Sequence, residues 1–365
     1  MRIIHTADLH LDSKLESNLT PDQAKERREE LLETFSRMVT YASEHGVSVV
    51  LIAGDMFDKP HVRKRARRRV LEEMQTHPQI DFLYLQGNHD KSDFLNDLED
   101  EEIPKNLKRF KENEWTVYEY GNVAISGREL SDDNYKTISV NLILDESRLN
   151  IVTLHGQESD YVGRDRTHII QISQFKNKFI DYLALGHIHS YKYDRLDDRG
   201  EWCYPGCPED RGFDECGEKG FVLLDIDEEA KRLTHTFVPF AQRRLHEVEV
   251  KVTEEMNMPD IIEAVRESLA RIDKDDLIKV VLTGTTEMDF DVDCERLTHI
   301  FEREFYFFKV YDQTGTRIDY DSFAADRSLK GEFVRLLQQQ EMPEEERAAV
   351  IELGMKAILG EELGR

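Results

Sequence analysis

The sequence predicts a layered α/β protein with a second, smaller α/β unit and a helical C-terminal segment. Through the first half of the chain, apolar strand-like runs alternate with helix-like segments, which is typical of layered α/β domains. The pattern changes near Ala241, where another strand–helix–strand series begins. A length of 365 residues exceeds what one hydrophobic core usually supports, so we expect at least two domains.

The first elements follow one another at short intervals. The chain begins with the strand-like run RIIHTA, and helical spacing of apolar residues then covers residues 20–45. Thr20 and Pro21 suit the cap and first turn of that helix, and Gly46 suits its end. The continuous apolar run VSVVLIAG predicts a strand buried on both faces. A basic helix over about residues 61–75 and the strand IDFLYLQG follow.

The later elements set the domain boundaries. The strands NIVTLHG and DYLALGH come next, and after a turn-rich segment FVLLDID and LTHTFVPF form a predicted hairpin. The smaller unit reads as strand RRLHEVEVKV, a helix over 259–272, and strands LIKVVLTG and FYFFKVYD. We therefore expect a first domain over residues 1–240, a second over 241–322, and C-terminal helices over 323–365.

Composition limits the partners and the compartment. The formal net charge of −26 repels polyanions, which disfavours indiscriminate nucleic-acid binding unless a local basic patch overrides it. Four irregularly spaced cysteines are too few for a disulfide framework. No apolar run reaches the length of a membrane span, and the N-terminus reads as a strand with no secretory segment before it. We expect a cytoplasmic protein with no membrane partner.

Potential metal ligands follow each of five predicted strands. Residues i and i+2 of an extended chain project to the same side, so Asp8 with His10, and His187 with His189, can converge on one point. Imidazole, carboxylate and amide groups together suit manganese, iron or zinc. The polar residues at these strand ends are Asp8, His10, Asp55, Asn88, His89, His155, His187 and His189.

Each motif alone has an ordinary alternative. A single Asp-x-His is usually a polar turn, and His155 alone would be a hydrogen-bonded loop histidine. Five motifs in order, each at a strand end, favour a metal site. Their ligands exceed the three or four that one tetrahedral zinc uses, whereas two ions sharing a bridging Asp55 would use them all. Two metals about 3.5–4 Å apart activate water and hold a phosphate.

The motifs DLH, GDMFD, GNHD, LHG and GHIH resemble those of the calcineurin-like metallophosphoesterases. The start MRIIHTADLHLD and the segment YPGCPEDRGFDECGEKGFVLLDID narrow the resemblance to SbcD-type DNA repair nucleases. It covers residues 1–240 well and the rest of the chain loosely. The resemblance implies a four-layer α/β sandwich metallophosphoesterase fold with a small α/β capping domain and C-terminal helices.

The resemblance also implies roles for individual residues. His89 contacts the scissile phosphate and helps to protonate the leaving oxygen, and Asp90 stands behind it to fix its tautomer. Asp58 either orients a ligand or is a turn residue. The implied ligand sets are Asp8, His10, Asp55 and His189 for one metal, and Asp55, Asn88, His155 and His187 for the other.

The dense basic run HVRKRARRRV follows the Asp55 motif directly. It is either a solvated helix face or a patch that contacts the phosphate backbone of DNA. The candidate DNA contacts are Arg63, Lys64, Arg67 and Arg68.

Two weaker signals lie elsewhere in the chain. The spacing of Cys203, Cys207 and Cys216 fits no standard zinc site, so we expect ordinary thiols. Apolar stripes on the two C-terminal helices pack internally or, as the resemblance implies, dock on the coiled-coil base of an SbcC-type ATPase. The resemblance further implies a homodimer.

The combined interpretation is a two-metal DNA nuclease in which a metal-bridging hydroxide attacks the phosphodiester. The resemblance implies 3′-to-5′ exonuclease and endonuclease activity in DNA repair and recombination, with manganese as the first choice of metal and iron, zinc or magnesium as alternatives. One rival is a phosphodiesterase or phosphatase acting on small molecules or proteins, which the net charge favours. The other is a non-catalytic scaffold with a degenerate metal site, which the complete ligand set disfavours.

Overall fold

Two units make up the chain, Met1–Arg244 and Leu245–Arg365. The computed structural model describes residues 1–15, 19–58, 62–90, 94–95, 98–159, 168–287, 290–317, 323 and 326–359. The sequence places the first boundary at residue 240. The separate C-terminal segment expected from residue 323 lies within the second of the two units.

Within its described residues, the first unit contains two six-stranded sheets and two long helices. One sheet has the order β12-β11-β1-β2-β3-β4 and the other β5-β6-β7-β8-β10-β9. The helices are α1 (Pro21–Glu44) and α2 (Lys64–Thr76). The strands are β1 (Arg2–Thr6), β2 (Val49–Ala53), β3 (Asp81–Leu85), β4 (Leu107–Arg109), β5 (Thr116–Tyr120), β6 (Val123–Gly127), β7 (Leu149–His155), β8 (Tyr182–Gly186), β9 (Lys192–Arg195), β10 (Glu201–Tyr204), β11 (Gly220–Asp227) and β12 (Arg232–Pro239).

The sequence explains the central elements directly. All five residues of β2 are buried, as the continuous apolar run predicts, and β1, β2 and β3 pair in parallel. A capping box between Thr20 and Gln23 begins α1 with Pro21 in its first turn. The predicted hairpin is present as β11 and β12, paired from Gly220↔Pro239 to Asp227↔Arg232.

The two sheets pack face to face, which confirms the predicted α/β sandwich. Helices α1 and α2 cover the outer face of the first sheet, and an apolar layer that includes Leu51 and Ile151 separates the two sheets. The outer face of the second sheet packs against turns around Ile138 and a short 3₁₀ helix, Ile172–Phe175. The fourth layer is therefore irregular in the part of the chain that the structure describes.

The second unit is a small α/β domain followed by two helices. Its sheet has the order β13-β14-β15, all parallel, with β16 paired to the end of β14. Val334, Ile351 and Met355 form a small core between α5 and α6. The elements are β13 (Leu245–Val252), α3 (Met258–Leu269), β14 (Leu277–Glu287), α4 (Cys294–Phe301), β15 (Phe307–Asp312), β16 (Gly315–Arg317), α5 (Leu329–Gln338) and α6 (Glu344–Leu359).

Candidate metal centre

The carboxyl ends of strands from both sheets meet at one edge of the first unit. Crevices at the carboxyl ends of parallel strands are common ligand sites in α/β proteins. The N–H of Asp8, after β1, donates to the carbonyl of Gly54 after β2. The N–H of His187, after β8, donates to both carboxylate oxygens of Asp8. These bonds bring the polar motifs of the two sheets together.

One cluster of candidate ligands contains Asp8, His10 and His189. Their ligand atoms all lie within 4.8 Å of one another. Nε2 of His10 is 3.2 Å from Nε2 of His189 and 3.8 Å from Oδ2 of Asp55.

A second cluster contains Asp55, His155 and His187, again with ligand atoms within 4.8 Å of one another. Oδ1 of Asn88 lies 2.9 Å from Nε2 of His155 and 3.1 Å from Nδ1 of His187. Oδ2 of Asp55 is 3.3 Å from Nε2 of His155, so the same oxygen that approaches His10 also approaches this cluster. All seven predicted ligands are therefore brought together, with Asp55 between the two groups.

The chemistry of these donors fits a pair of cations. Nδ1 of His155 lies 2.8 Å from the carbonyl oxygen of Ala53, which can only accept, so Nδ1 keeps a proton and Nε2 is the nitrogen that presents a lone pair when the ring is neutral. That lone pair faces the carbonyl oxygen of Asn88. In the same way, Nδ1 of His10 and of His189 each face a carboxylate, so their two Nε2 lone pairs face each other. Acceptors directed at one another repel unless a proton or a metal ion lies among them, so these side chains can exchange protons for bound cations.

Four of the seven candidate ligands have left-handed backbone. The φ angles of Asp8, His10, Asp55 and His187 are 53°, 43°, 51° and 105°. Such angles cost a non-glycine residue roughly 1–3 kcal/mol and tend to cluster at functional sites. The strained turns are held by bonds between the first two motifs, such as that from the N–H of His10 to the carbonyl of Asp55.

Two glycines are required by the close approach of the strands. A Cβ at Gly54 would lie 2.1 Å from Nδ1 of His155, and one at Gly186 would lie 1.8 Å from the carbonyl oxygen of Ala53. The bond from His155 to Ala53 passes through this space, so the glycines allow the imidazole to reach its orienting carbonyl.

His89 stands beside the two clusters and is open to solvent. Its side chain is 45% exposed, and its ring packs edge-on against His10 at 5.1 Å between centroids. Its backbone N–H donates to Oδ1 of Asp55. Nδ1 of His89 lies 3.2 Å from Oδ1 of Asp58, and this hydrogen bond raises the pKa of His89 above its usual value.

Asp58, and not Asp90, is the carboxylate behind His89. The expected pairing of Asp90 with His89 is not what the structure shows, because the Asp90 carboxylate accepts from the backbone N–H groups of Met56, Phe57 and Gly87. Asp90 thereby ties the loop after β2 to the loop after β3. Asp58 also lies 3.3 Å from Nδ1 of His10, so its carboxylate contacts the imidazoles of both His10 and His89.

Burial and neighbouring charge shift the pKa values of this buried centre. Burial lowers the pKa of His10 to about 4. Burial also lowers the pKa of His155, but the adjacent Asp55 outweighs it and raises the value to about 10. Burial, together with the charge of Asp55, raises the pKa of Asp90 to about 6. Burial opposes ionisation of Asp58, yet hydrogen bonds from His10 and His89 hold its pKa well below the usual range.

Asp90→Ala is expected to destabilise the metal-free protein by about 3 kcal/mol, because two buried N–H groups and the half-buried N–H of Gly87 lose their acceptor. Urea unfolding in the presence of a chelator measures this change without a contribution from metal binding. Asp90→Asn keeps one oxygen and should lose less. Asp133→Ala, at an exposed position, is the control; an Asp90→Ala protein as stable as this control would contradict the role of Asp90.

Several side chains of the basic run have ion-pair or hydrogen-bond partners within the protein. Nη1 of Arg63 lies 3.3 Å from Oδ1 of the buried Asp12, and Arg67 donates to the carbonyl of Phe94. Arg65 and Arg69 contact glutamates of α1, namely Glu29 and Glu33. Of the four candidate DNA contacts, Arg67 is half-buried and the other three are exposed. Arg63 pairs with Asp12 and Arg68 has Glu72 3.5 Å away, whereas Lys64 has no ion pair among the described residues.

The cysteines are free thiols. Cys203 and Cys207 are buried, and burial raises the pKa of both, so they remain protonated. Cys207 lies near His189 and Glu215, but the Arg211 guanidinium also contacts that pair. Arg211 and Glu215, which contact the candidate ligand His189, were not predicted from the sequence. Their signal was the presence of charged residues in the turn-rich segment that follows the last motif.

The sequence profile described as calcineurin-like phosphoesterase matches residues 1–191, more than half of the chain. This protein belongs to the calcineurin-like phosphoesterase family. It is a metal-dependent phosphodiesterase, a hydrolase, and its family works with a dinuclear metal centre. The clusters around Asp55 supply candidate ligands for such a centre.

The relatives of this phosphoesterase are distant but extend over most of the chain. DNA double-strand break repair protein Mre11 of Sulfolobus acidocaldarius is 23% identical, over 80% of this chain and 77% of that protein. Uncharacterized metallophosphoesterase YhaO of Bacillus subtilis is 25% identical, over 78% of this chain and 72% of that protein. Mre11 of Saccharolobus solfataricus is 23% identical, over 100% of this chain and 96% of that protein. Among the described residues, no helix has the length and apolarity needed to cross a membrane.

Proposed function

We propose that this phosphoesterase is a two-metal DNA nuclease. Asp8, His10, Asp55 and His189 would hold one ion, and Asp55, Asn88, His155 and His187 would hold the other. The observation that carries the proposal is the convergence of these side chains with Asp55 Oδ2 between the two clusters, 3.8 Å and 3.3 Å from Nε2 of His10 and His155. The sequence relatives named as DNA double-strand break repair proteins support DNA as the substrate.

His89 and Asp58, beside the proposed metal sites, contribute proton transfer to the reaction. When bound, the two ions would acidify water and offset the charge that develops on the attacked phosphate. His89 is exposed beside the clusters, with Nδ1 held by Asp58, so Nε2 is available to the substrate. The Asp58 carboxylate favours the protonated imidazole. His89 therefore donates a proton to the departing 3′ oxygen, as general acid.

The proposal also covers the identity of the metal, the direction of DNA cleavage and the protein partners. Manganese is the first choice of metal, and the activity is 3′-to-5′ exonucleolytic with endonucleolytic cleavage in DNA repair and recombination. On α5, the exposed Leu329 and Leu336 lie seven residues apart on one face, which supports docking of an SbcC-type ATPase. Co-purification with Leu329→Glu as the comparison tests this contact. A homodimer is the proposed oligomer, tested by the mass of the purified protein in solution.

A phosphodiesterase acting on small molecules or proteins is the second candidate. The net charge of −26 and the pairing of Arg65 and Arg69 with Glu29 and Glu33 favour it. Cleavage assays with Mn²⁺ on plasmid DNA, an oligonucleotide and bis(p-nitrophenyl) phosphate separate the two. Hydrolysis of DNA supports the nuclease, and hydrolysis of the small diester alone defeats it.

Reversing charge at Lys64 and Arg68 is expected to weaken DNA binding and to lower the slope of log affinity against log salt concentration by about two, because each side chain releases about one counterion. Turnover of the small diester should be unchanged. Arg271→Glu with Lys274→Glu, exposed in the second unit, gives the same change in net charge. If the two double variants show the same slope of log DNA affinity against log salt concentration, α2 does not contact DNA.

A further inference from the structure

The segment between β10 and β11 buries several charged side chains although it has no helix or strand. Glu209, Asp210 and Lys219 are each 2% exposed or less. Burying an ionised group is costly unless it is paired. Lys219 lies 3.3 Å from Asp210 and donates to the carbonyl of His189, and Glu209 accepts from the Thr34 hydroxyl of α1. The segment is therefore fixed to both the core and the metal centre.

One acidic residue of this segment faces a candidate metal ligand. Oε1 of Glu215 lies 2.5 Å from Nδ1 of His189, and the Glu215 side chain is only 12% exposed. A carboxylate on one ring nitrogen of a ligating histidine fixes the tautomer and the ring orientation, and it makes the other nitrogen a better donor. Here it leaves Nε2 of His189 directed at Nε2 of His10.

Arg211 joins this carboxylate to the one behind His89. Nη2 of Arg211 donates to Oε1 of Glu215 at 3.1 Å, and Nη1 lies 3.5 Å from Oδ1 of Asp58. The backbone N–H of Arg211 donates to the other oxygen of Glu215. The guanidinium thus lies between two poorly exposed carboxylates. Its planar fork presents several donors in fixed directions, which the single ammonium group of lysine cannot reproduce.

We propose that Glu215 and Arg211 are positioning residues of the metal centre. Glu215 holds His189 with Nε2 turned toward the first ligand cluster. Arg211 holds Glu215 and Asp58 at a fixed separation, and since Asp58 contacts both His10 and His89, one guanidinium sets the relative placement of two ligands and the general acid. The inference rests on the proposed two-metal centre but not on DNA as the substrate.

The test is calorimetric titration of Mn²⁺ into chelator-treated full-length protein. The wild type is expected to show two binding events. In Glu215→Ala one event should weaken about ten- to hundredfold while the other is unchanged. Glu215→Gln should lose less, because its amide oxygen still accepts from Nδ1 of His189. Glu218→Ala and Glu218→Gln are matched controls, since Glu218 lies in the same segment with its side chain 58% exposed.

A second test uses Arg211→Lys, a substitution that keeps the positive charge. With saturating Mn²⁺, kcat for bis(p-nitrophenyl) phosphate should fall at least about tenfold with KM nearly unchanged, because the ligands remain but their geometry is relaxed. The assays use Mn²⁺ and a small diester, so a failure to cleave DNA is a separate result that bears on the nuclease proposal alone.

Unchanged Mn²⁺ binding in both Glu215 variants would overturn the proposal, and so would equal weakening of both binding events. If Glu215→Ala is unfolded without metal, Glu215→Gln decides: selective weakening of one event supports the proposal, and two unchanged events overturn it. Wild-type kcat in Arg211→Lys would overturn the part assigned to Arg211.

Discussion

Replacing Asp55 with asparagine is expected to abolish phosphodiester hydrolysis, lowering kcat/KM by more than about 10³-fold. The carboxylate lies between the two ligand clusters, with Oδ2 3.8 Å from Nε2 of His10 and 3.3 Å from Nε2 of His155. Two-metal stabilisation of a phosphoryl transition state is worth several kcal/mol, and each 1.36 kcal/mol is about a tenfold change in rate. A neutral amide cannot offset the charge of two cations held close together.

The same substitution should change metal content as well as rate. We expect elemental analysis to find two Mn²⁺ per wild-type chain and fewer in Asp55→Asn. The rise in melting temperature that Mn²⁺ causes should shrink accordingly, because a ligand stabilises the folded state according to its affinity. Asp291→Asn, an exposed aspartate of the second unit, is the control. Two ions bound with full activity in Asp55→Asn would contradict the shared carboxylate.

His89→Ala is expected to lower kcat on DNA by about 10²–10⁴-fold while leaving two Mn²⁺ bound. The imidazole is 45% exposed and its Nδ1 contacts Asp58, so it is placed to act on substrate rather than to hold metal. The loss should depend on the leaving group. An alkoxide such as the 3′ oxygen of DNA needs a proton as it departs, whereas p-nitrophenolate does not.

Comparing two substrates makes this prediction specific. With bis(p-nitrophenyl) phosphate, His89→Ala should lose much less than with DNA. His299→Ala, 64% exposed in the second unit, is the matched control. Equal losses on both substrates would mean that His89 orients the phosphate rather than protonating the leaving oxygen. A loss of bound Mn²⁺ would instead make His89 part of the ligand shell.

The proximity of the candidate ligands could be predicted because it depends on where strands end. Asp8, Asp55 and Asn88 follow parallel strands of one sheet, and His155 and His187 end or follow parallel strands of the other. Parallel strands place their carboxyl ends at the same edge. Residues that follow these strands in the sequence are therefore close together in the structure.

The groups behind the ligands could not be predicted in this way. Asp90 is next to His89 in sequence but contacts backbone N–H groups, while Asp58, from a different loop, contacts the imidazole. Arg63 belongs to a basic run, yet it pairs with Asp12. Such contacts depend on how loops pack in three dimensions. The charge pattern of one segment does not reveal which residue of another segment will pair with it.

One edge strand also lacked a sequence signal. All four residues of β9 are exposed, so this strand has no apolar alternation. Periodicity reports burial on one face, and strands without a buried face give none. The left-handed turns at Asp8 and Asp55 were equally hidden, because non-glycine residues rarely adopt them without tertiary contacts that hold them.

Anomalous diffraction from a crystal grown with Mn²⁺ would locate any metal ions held by the two ligand clusters. Two manganese peaks about 3.5–4 Å apart are expected. Asp55 should contact both ions, His10 and His189 the first, and His155 and His187 the second. A single peak among these residues, or two peaks without a shared Asp55, would contradict the account.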